Sequence, residues 1–189
     1  MYVVFALMID DYFHNLFREV SYECFQETSN FDNINLILPH ISLKQSFRVS
    51  NILEIRNYFD SYFSTVKQFT VDIDKFEIVH DNNHPLLKNI LWLKIHTNNI
   101  LTTMHTELNA SLEKLGIEKG IYDGDNYTFH ATVMLGPTNL SLLKEKLDKL
   151  KHLNLNKQIK ITKALMFLCP FDYIDLKKII TYRLIELQK

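Results

Sequence analysis

Two of the eight histidines in the chain are followed two places later by a hydroxyl, in His40-Ile41-Ser42 and His130-Ala131-Thr132. About one residue in nine is Ser or Thr, so eight histidines give roughly one such triplet by chance. What distinguishes this pair is its setting. Both triplets lie in apolar runs of strand length, both have an aliphatic residue after the hydroxyl (Leu43 and Val133), and both hold the same place in an apparent repeat.

In a strand, residues i and i+2 share a face. His40 and Ser42 are therefore expected on one side and Ile41 and Leu43 on the packed side, with His130 and Thr132 arranged alike. Two such strands facing each other gather two imidazoles and two hydroxyls around one space. That set suits a phosphodiester. One neutral imidazole takes a proton from water, one imidazolium gives a proton to the leaving oxygen, and the hydroxyls donate to the non-bridging oxygens. An unperturbed imidazole pKa of about 6.5 allows both roles near neutral pH. The scheme calls for no metal and no cofactor.

The elements that must carry these residues repeat. Tyr2 to Ile9 is a continuous apolar run, as for a strand buried on both faces. Asp10 and Asp11 suit a helix start, and Phe13, Leu16, Phe17, Val20 and Cys24 recur at helical spacing. Ser29 to Asn35 reads as a polar loop and Leu36 to Leu43 as the first motif strand, with Pro39 near its start or at an edge. Ser50 is placed to cap a helix through Phe63, and Phe69 to Val79 alternates as a half-exposed strand. After a polar connector at His80 to Pro85 the order recurs: strand Ile90–Ile95, a helical stripe from Leu101 to Leu115 stopped by Gly116, and motif strand Tyr127–Leu135. A helix through Leu140 to Leu150 and strands Gln158–Leu168 and Ile179–Leu187 follow. The first strands begin about 87 residues apart and the motif histidines 90 apart, which suggests a duplication of topology.

Bulk properties narrow the class. Nearly half of the 189 residues are apolar, which favours a folded domain over disorder. A net charge of −1 argues against coating long duplex nucleic acid, while leaving room for a small nucleotide or an RNA end in a pocket. Cys24 and Cys169 read as reduced and buried. The apolar start, Met1 to Ile9, lacks a basic n-region and a cleavage site, so neither signal peptide nor membrane span is read there and a cytoplasmic address is expected.

Pro39-His40-Ile41-Ser42-Leu43-Lys44-Gln45-Ser46-Phe47 resembles the first signature of the 2H phosphoesterases, the superfamily of 2′-5′ RNA ligase-like proteins and cyclic phosphodiesterases. Phe129-His130-Ala131-Thr132-Val133 resembles the second. Ser42 stands where Thr is commoner, which keeps the hydroxyl. The resemblance implies an α+β fold, bilobed and pseudo-twofold, with two mainly antiparallel sheets lining a cleft and helices outside. The expected lobes are roughly 1–80 and 86–189, with strands exchanged between them, in a monomeric single domain. It also implies metal-independent hydrolysis of a 2′,3′-cyclic phosphate on nucleotides or RNA ends, or of 2′-5′ linkages. In that reading His40 and His130 are the acid–base pair and Ser42 and Thr132 bind phosphate. A module that binds phosphorylated ligands without turning them over is the rival from another class.

No basic residue follows the second motif at Met134-Leu135-Gly136, so Lys44 or Arg48 is expected to meet the phosphate charge. Lys44, two residues beyond Ser42, is expected on the motif face. Tyr127 and Tyr173 are candidates for stacking on a base, and Phe129 and Trp92 read as core. His80 and His84 in a polar loop make a poor metal pair, and His96 and His105 read as surface or strand-end residues.

Overall fold

The computed structural model describes residues 1–28, 37–80, 89–136, 139–174 and 178–189. The expected loop at 29–35, Leu36 and His84 lie outside them. The element order is β1 (Tyr2–Met8), α1 (Asp11–Thr28), β2 (His40–Ser42), β3 (Phe47–Arg48), α2 (Ile52–Phe63), β4 (Phe69–His80), β5 (Asn89–Ile95), α3 (Asn99–Lys114), β6 (His130–Gly136), α4 (Leu140–Lys151), β7 (Gln158–Ile161), β8 (Lys163–Cys169) and β9 (Ile180–Glu186).

Among the described residues the strands form one curled antiparallel sheet in the order β7-β4-β5-β6-β2-β1-β8-β9, with β3 beside β1. The arrangement is α+β, as expected, and the two expected sheets meet as halves of this one path. Their join is narrow: β2 and β6 pair at Ile41↔Ala131. The halves are not contiguous in sequence. β4 sits beside β5, and β8 and β9 follow β1. The registers repeat across the join, with Leu7↔Ile41 and Met8↔His40 on one side and Leu93↔Ala131 and Lys94↔His130 on the other.

Among the described residues, helices α1 to α4 cover one face of the sheet. Phe13 and Phe17 of α1, Phe59 and Phe63 of α2, Leu108 and Leu112 of α3 and Leu143 of α4 join Phe5, Leu7, Ile41, Leu93, Ala131 and Met166 in the main core. Full burial of each large side chain of this kind stabilises the fold by roughly 1.5–3 kcal/mol. The other face carries a smaller apolar cluster of Ala6, Leu165 and Phe167, with Val4 and Met8 packed against it. The two clusters explain why β1 is apolar without a break: Val3, Phe5 and Leu7 face the helices, and Val4, Ala6 and Met8 face the open side.

Local chemistry sets the ends. Asp10 Oδ1 accepts from the Phe13 amide 3.1 Å away at the start of α1. The cap of α2 is Asn51 rather than Ser50, its side chain accepting from the Leu53 and Glu54 amides, which an amide oxygen does as well as a hydroxyl. Gly116 beyond α3 has φ +78°, the left-handed conformation that favours glycine at a helix stop. The expected strand Leu36–Leu43 is shorter, because Pro39 has no N–H for the ladder and the chain turns after Ser42. The second motif strand likewise begins at His130 rather than Tyr127. The run 158–168 is two strands, β7 and β8, which pair with β4 and β1 in opposite halves of the sheet. No described helix is long and apolar enough to cross a membrane.

Candidate active site

The single bridge between β2 and β6 aligns the two motifs. Ile41 and Ala131 are register partners, both fully buried against the helices. One step along the antiparallel register sets His40 opposite Thr132 and Ser42 opposite His130 on the other face. Directly opposed Cβ atoms stand about 4.5–5.5 Å apart. The four side chains thus mark a rectangle, each imidazole facing the other motif's hydroxyl, with the imidazoles on one diagonal. All four residues are half-buried.

Both rings are anchored alike. His40 Nδ1 lies 2.7 Å from the Leu38 carbonyl and His130 Nδ1 lies 2.9 Å from the Thr128 carbonyl, in each case two residues back. A carbonyl only accepts, so each Nδ1 carries the proton and each neutral ring keeps its lone pair on Nε2. Burial holds the His40 imidazole down at about 4 despite the Leu38 hydrogen bond, and the charge of His130 adds to the lowering. Burial lowers His130 as well. The protein groups of the site alone resist holding two positive rings.

The walls beside the rings differ. His40 packs on Phe167, ring centroids 4.6 Å apart, and its register neighbour is Met8. His130 lies over Trp92 at 4.1 Å and 31°, and its register neighbour is Lys94. Trp92 Nε1 donates to Glu77 Oε1 at 3.0 Å, and Lys94 Nζ stands 3.6 Å from Asp74. A cavity of about 210 Å³ opens beside three corners of the rectangle, His40, Ser42 and Thr132, and is lined also by Val4, Phe167 and Arg18, while His130 stands outside its lining. The Arg18 guanidinium donates to the Ile37 carbonyl at 3.0 Å.

Several expectations need correction. Lys44 is not on the cleft. It is 1% exposed, its Nζ 2.6 Å from Asp123 Oδ2 and 2.8 Å from Asn109 Oδ1. The strand ends at Ser42, so two-residue alternation does not extend to Lys44. Arg48 is exposed and paired with Asp172 at 3.1 Å. The Tyr127 ring is stacked on His105 at 4.2 Å and edge-on to Phe129 at 5.0 Å, so its face is taken. Tyr173 is 58% exposed beside Phe171 and keeps an accessible aromatic face. His105 is buried within α3, its Nδ1 donating to the Leu43 carbonyl at 2.7 Å. Trp92 stands on the cleft face rather than in the core. The apolar run around it gave no sign of this, because which face a strand residue takes depends on the register of a remote partner.

Comparison with known proteins identifies the fold and the family. E. coli LigT complexed with 3′-AMP is similar over 99% of this chain and 98% of its own, with 12% identity and a TM-score of 0.59. A crystal structure titled phosphoesterase is similar over 100% of this chain and 99% of its own, with 12% identity and a TM-score of 0.59. TT0787 of Thermus thermophilus is similar over 100% of this chain and 98% of its own, with 11% identity and a TM-score of 0.54. These likenesses show the shared fold. No curated protein sequence matches. Residues 16–165 match the sequence model described as the 2′-5′ RNA ligase superfamily. That span holds both motifs, and the chain therefore belongs to this superfamily, the 2H phosphoesterases.

Proposed function

We propose that this chain is a metal-independent phosphodiesterase that opens the 2′,3′-cyclic phosphate of a nucleotide or an RNA end, with His40 and His130 moving the protons. The observation that carries the reading is the matched anchoring of the two rings. Each Nδ1–H is fixed on a carbonyl two residues back, which leaves each Nε2 free for the cleft.

One neutral Nε2 takes a proton from water as the water oxygen bonds to phosphorus. The bond from phosphorus to one ribose oxygen breaks, and that oxygen takes a proton from the other ring's Nε2–H. The product is a ribose monophosphate, each ring ends in the other's starting state, and proton exchange with solvent restores the original arrangement. Ser42 and Thr132 donate to the non-bridging oxygens. A bound phosphodiester brings a negative charge, which offsets the cost of one imidazolium in a site that disfavours it when empty. Superfamily membership supports phosphoester chemistry of this kind, and the likeness to a LigT complexed with 3′-AMP favours a small nucleotide or RNA end as the substrate class. Arg18 at the cavity takes the phosphate-facing role first expected of Lys44, and Tyr173 remains the candidate platform for a base.

A turnover screen over 2′,3′-cyclic nucleotides, cyclic-phosphate RNA ends and 2′-5′ dinucleotides, in the presence of chelator, tests the proposal. Turnover of the cyclic substrates is expected, with His40→Ala and His130→Ala each reducing it by about a hundredfold or more while the chain stays folded. Native rates in both variants refute the assignment. Turnover of the 2′-5′ dinucleotides alone moves the substrate to that linkage, and tight binding without any turnover makes the cleft a binding module.

A further inference from the structure

We propose that Tyr127 is a positioning residue, whose hydroxyl ties the segment entering the second motif to the first motif strand and so sets the gap between the two imidazoles. The inference rests on the phosphodiesterase reading only for its kinetic readout.

The need for such a tie follows from the sheet. β2 has three residues and meets β6 at one bridge. A single bridge fixes separation at one point and leaves the strands free to splay about it. The opposed functional side chains extend from residues on either side of that point, so splay moves them most.

The tie comes from the segment that leads into β6. Tyr127 Oη, three residues ahead of His130, donates to the Ser42 carbonyl at 3.2 Å. Burial, with the Asp123 carboxylate nearby, pushes the Tyr127 phenol up, so its proton stays in place to donate. His105 stacks on the Tyr127 ring and holds the next carbonyl, Leu43. The same segment is anchored four residues earlier. The Asp123 carboxylate accepts from Lys44 Nζ at 2.6 Å, the Gln45 amide at 2.7 Å and the Gly120 amide at 2.8 Å. A Cβ at Gly120 would stand 2.0 Å from Gln45 Oε1, so the Gln45 side chain lies directly against this turn. The two segments therefore act as one clamp: Ser42 and Leu43 offer carbonyls, Lys44 and Gln45 grip Asp123, and Tyr127 closes the loop just before the second motif. Lys44 and Asp123 are buried, and none of Tyr127, Lys44, Gln45 and Asp123 lines the cavity. They act through the strands they hold.

Tyr127→Phe removes one oxygen and leaves both ring contacts in place. Tyr62→Phe is the matched control, losing an O–H bond to Glu107 Oε2 of 2.9 Å at a place remote from the cleft. In Tyr127→Phe, kcat on a 2′,3′-cyclic nucleotide is expected to fall about tenfold or more with KM within about twofold, since misplacement of reacting groups is felt in the transition state. Its melting temperature should fall no further than that of the control. The ring-proton NMR signals of His40 and His130 should both move in Tyr127→Phe, and neither should move in Tyr62→Phe. An unchanged kcat overturns the proposal, as does an equal loss in both variants, or a fall in kcat with unmoved histidine signals. If the wild type turns over no cyclic nucleotide, the reaction proposed above fails on its own account. The histidine signals then decide the tie: moved signals uphold it and unmoved signals overturn it.

Discussion

Lowering the pH should weaken this fold through His40 in a measurable way. Its imidazole is held at about 4 in the folded chain against 6.5 in the unfolded one. Between those values the unfolded chain binds the proton and the folded chain does not. Stability is therefore full above pH 6.5 and falls as the pH drops toward 4. Linkage over that interval gives a loss of about 2 kcal/mol by pH 5 and about 3 kcal/mol by pH 4. For a chain of this size, 2 kcal/mol lowers the melting temperature by about 4–8 °C. Carboxylates titrate in the same region, so the comparison is with His40→Gln, which keeps a polar side chain and cannot titrate. Urea melts of both proteins at about pH 8 and about pH 5 give the difference. The wild type should lose about 2 kcal/mol more than His40→Gln over that interval. Equal losses would mean that the ring is not held neutral by its burial, and the electrostatic argument for the site would fall with it.

Other outcomes follow from the same contacts. The profile of kcat/KM against pH, which reports the free enzyme, should be bell-shaped with its optimum below 6.5, because both rings are lowered. The kcat profile should lie at higher pH, because bound phosphate favours the imidazolium; coincident profiles refute this. Lys44→Ala strands the Asp123 carboxylate in the interior and should cost about 3–5 kcal/mol in a denaturant melt, whereas a loss confined to KM would return Lys44 to the phosphate. Trp92 is the one tryptophan of the chain. An imidazolium quenches indole emission, so fluorescence should fall as His130 takes its proton and should not change with pH in His130→Gln.

The sequence made the two motif strands legible because alternation is a local property. It put Ile41 and Ala131 in the core and His40, Ser42, His130 and Thr132 on the other face, as the register shows. The repeat was legible for the same reason, since each helix and strand carries its own period. Lys44 failed the rule at the point where the strand stopped. Alternation predicts a face only while the ladder lasts, and Pro39 together with the turn after Ser42 cut this one to three residues. Trp92 and Tyr127 exchanged the places expected of them. Both are aromatic residues in apolar surroundings, and only non-local pairing separates a cleft platform from a strut. Trp92 is on the cleft because it pairs with Thr132. Tyr127 is within the body because it precedes β6 and meets α3 through His105. The buried set of Lys44, Asn109 and Asp123 is drawn from three remote stretches of chain, and nothing in their local spacing connects them.

A duplicated scaffold gives the two imidazoles the same anchor, yet the reaction proposed for them is not symmetrical: one oxygen enters and another leaves. The difference must come from what the duplication did not keep. Across the register from Ser42 stands Ala6, and across from Thr132 stands Trp92. Beside His40 is Met8, and beside His130 is Lys94. The His40 side is therefore apolar, continuing into Phe167 and Leu165, where an added charge would be costly without a partner. On the His130 side an indole face lies under the ring, the Glu77 carboxylate accepts from that indole, and the charge of Lys94 is met by Asp74, an arrangement that is more tolerant of an imidazolium. Equal backbone geometry with unequal walls gives two rings of one tautomer and different surroundings. Such a pair can divide the work of base and acid within one cleft.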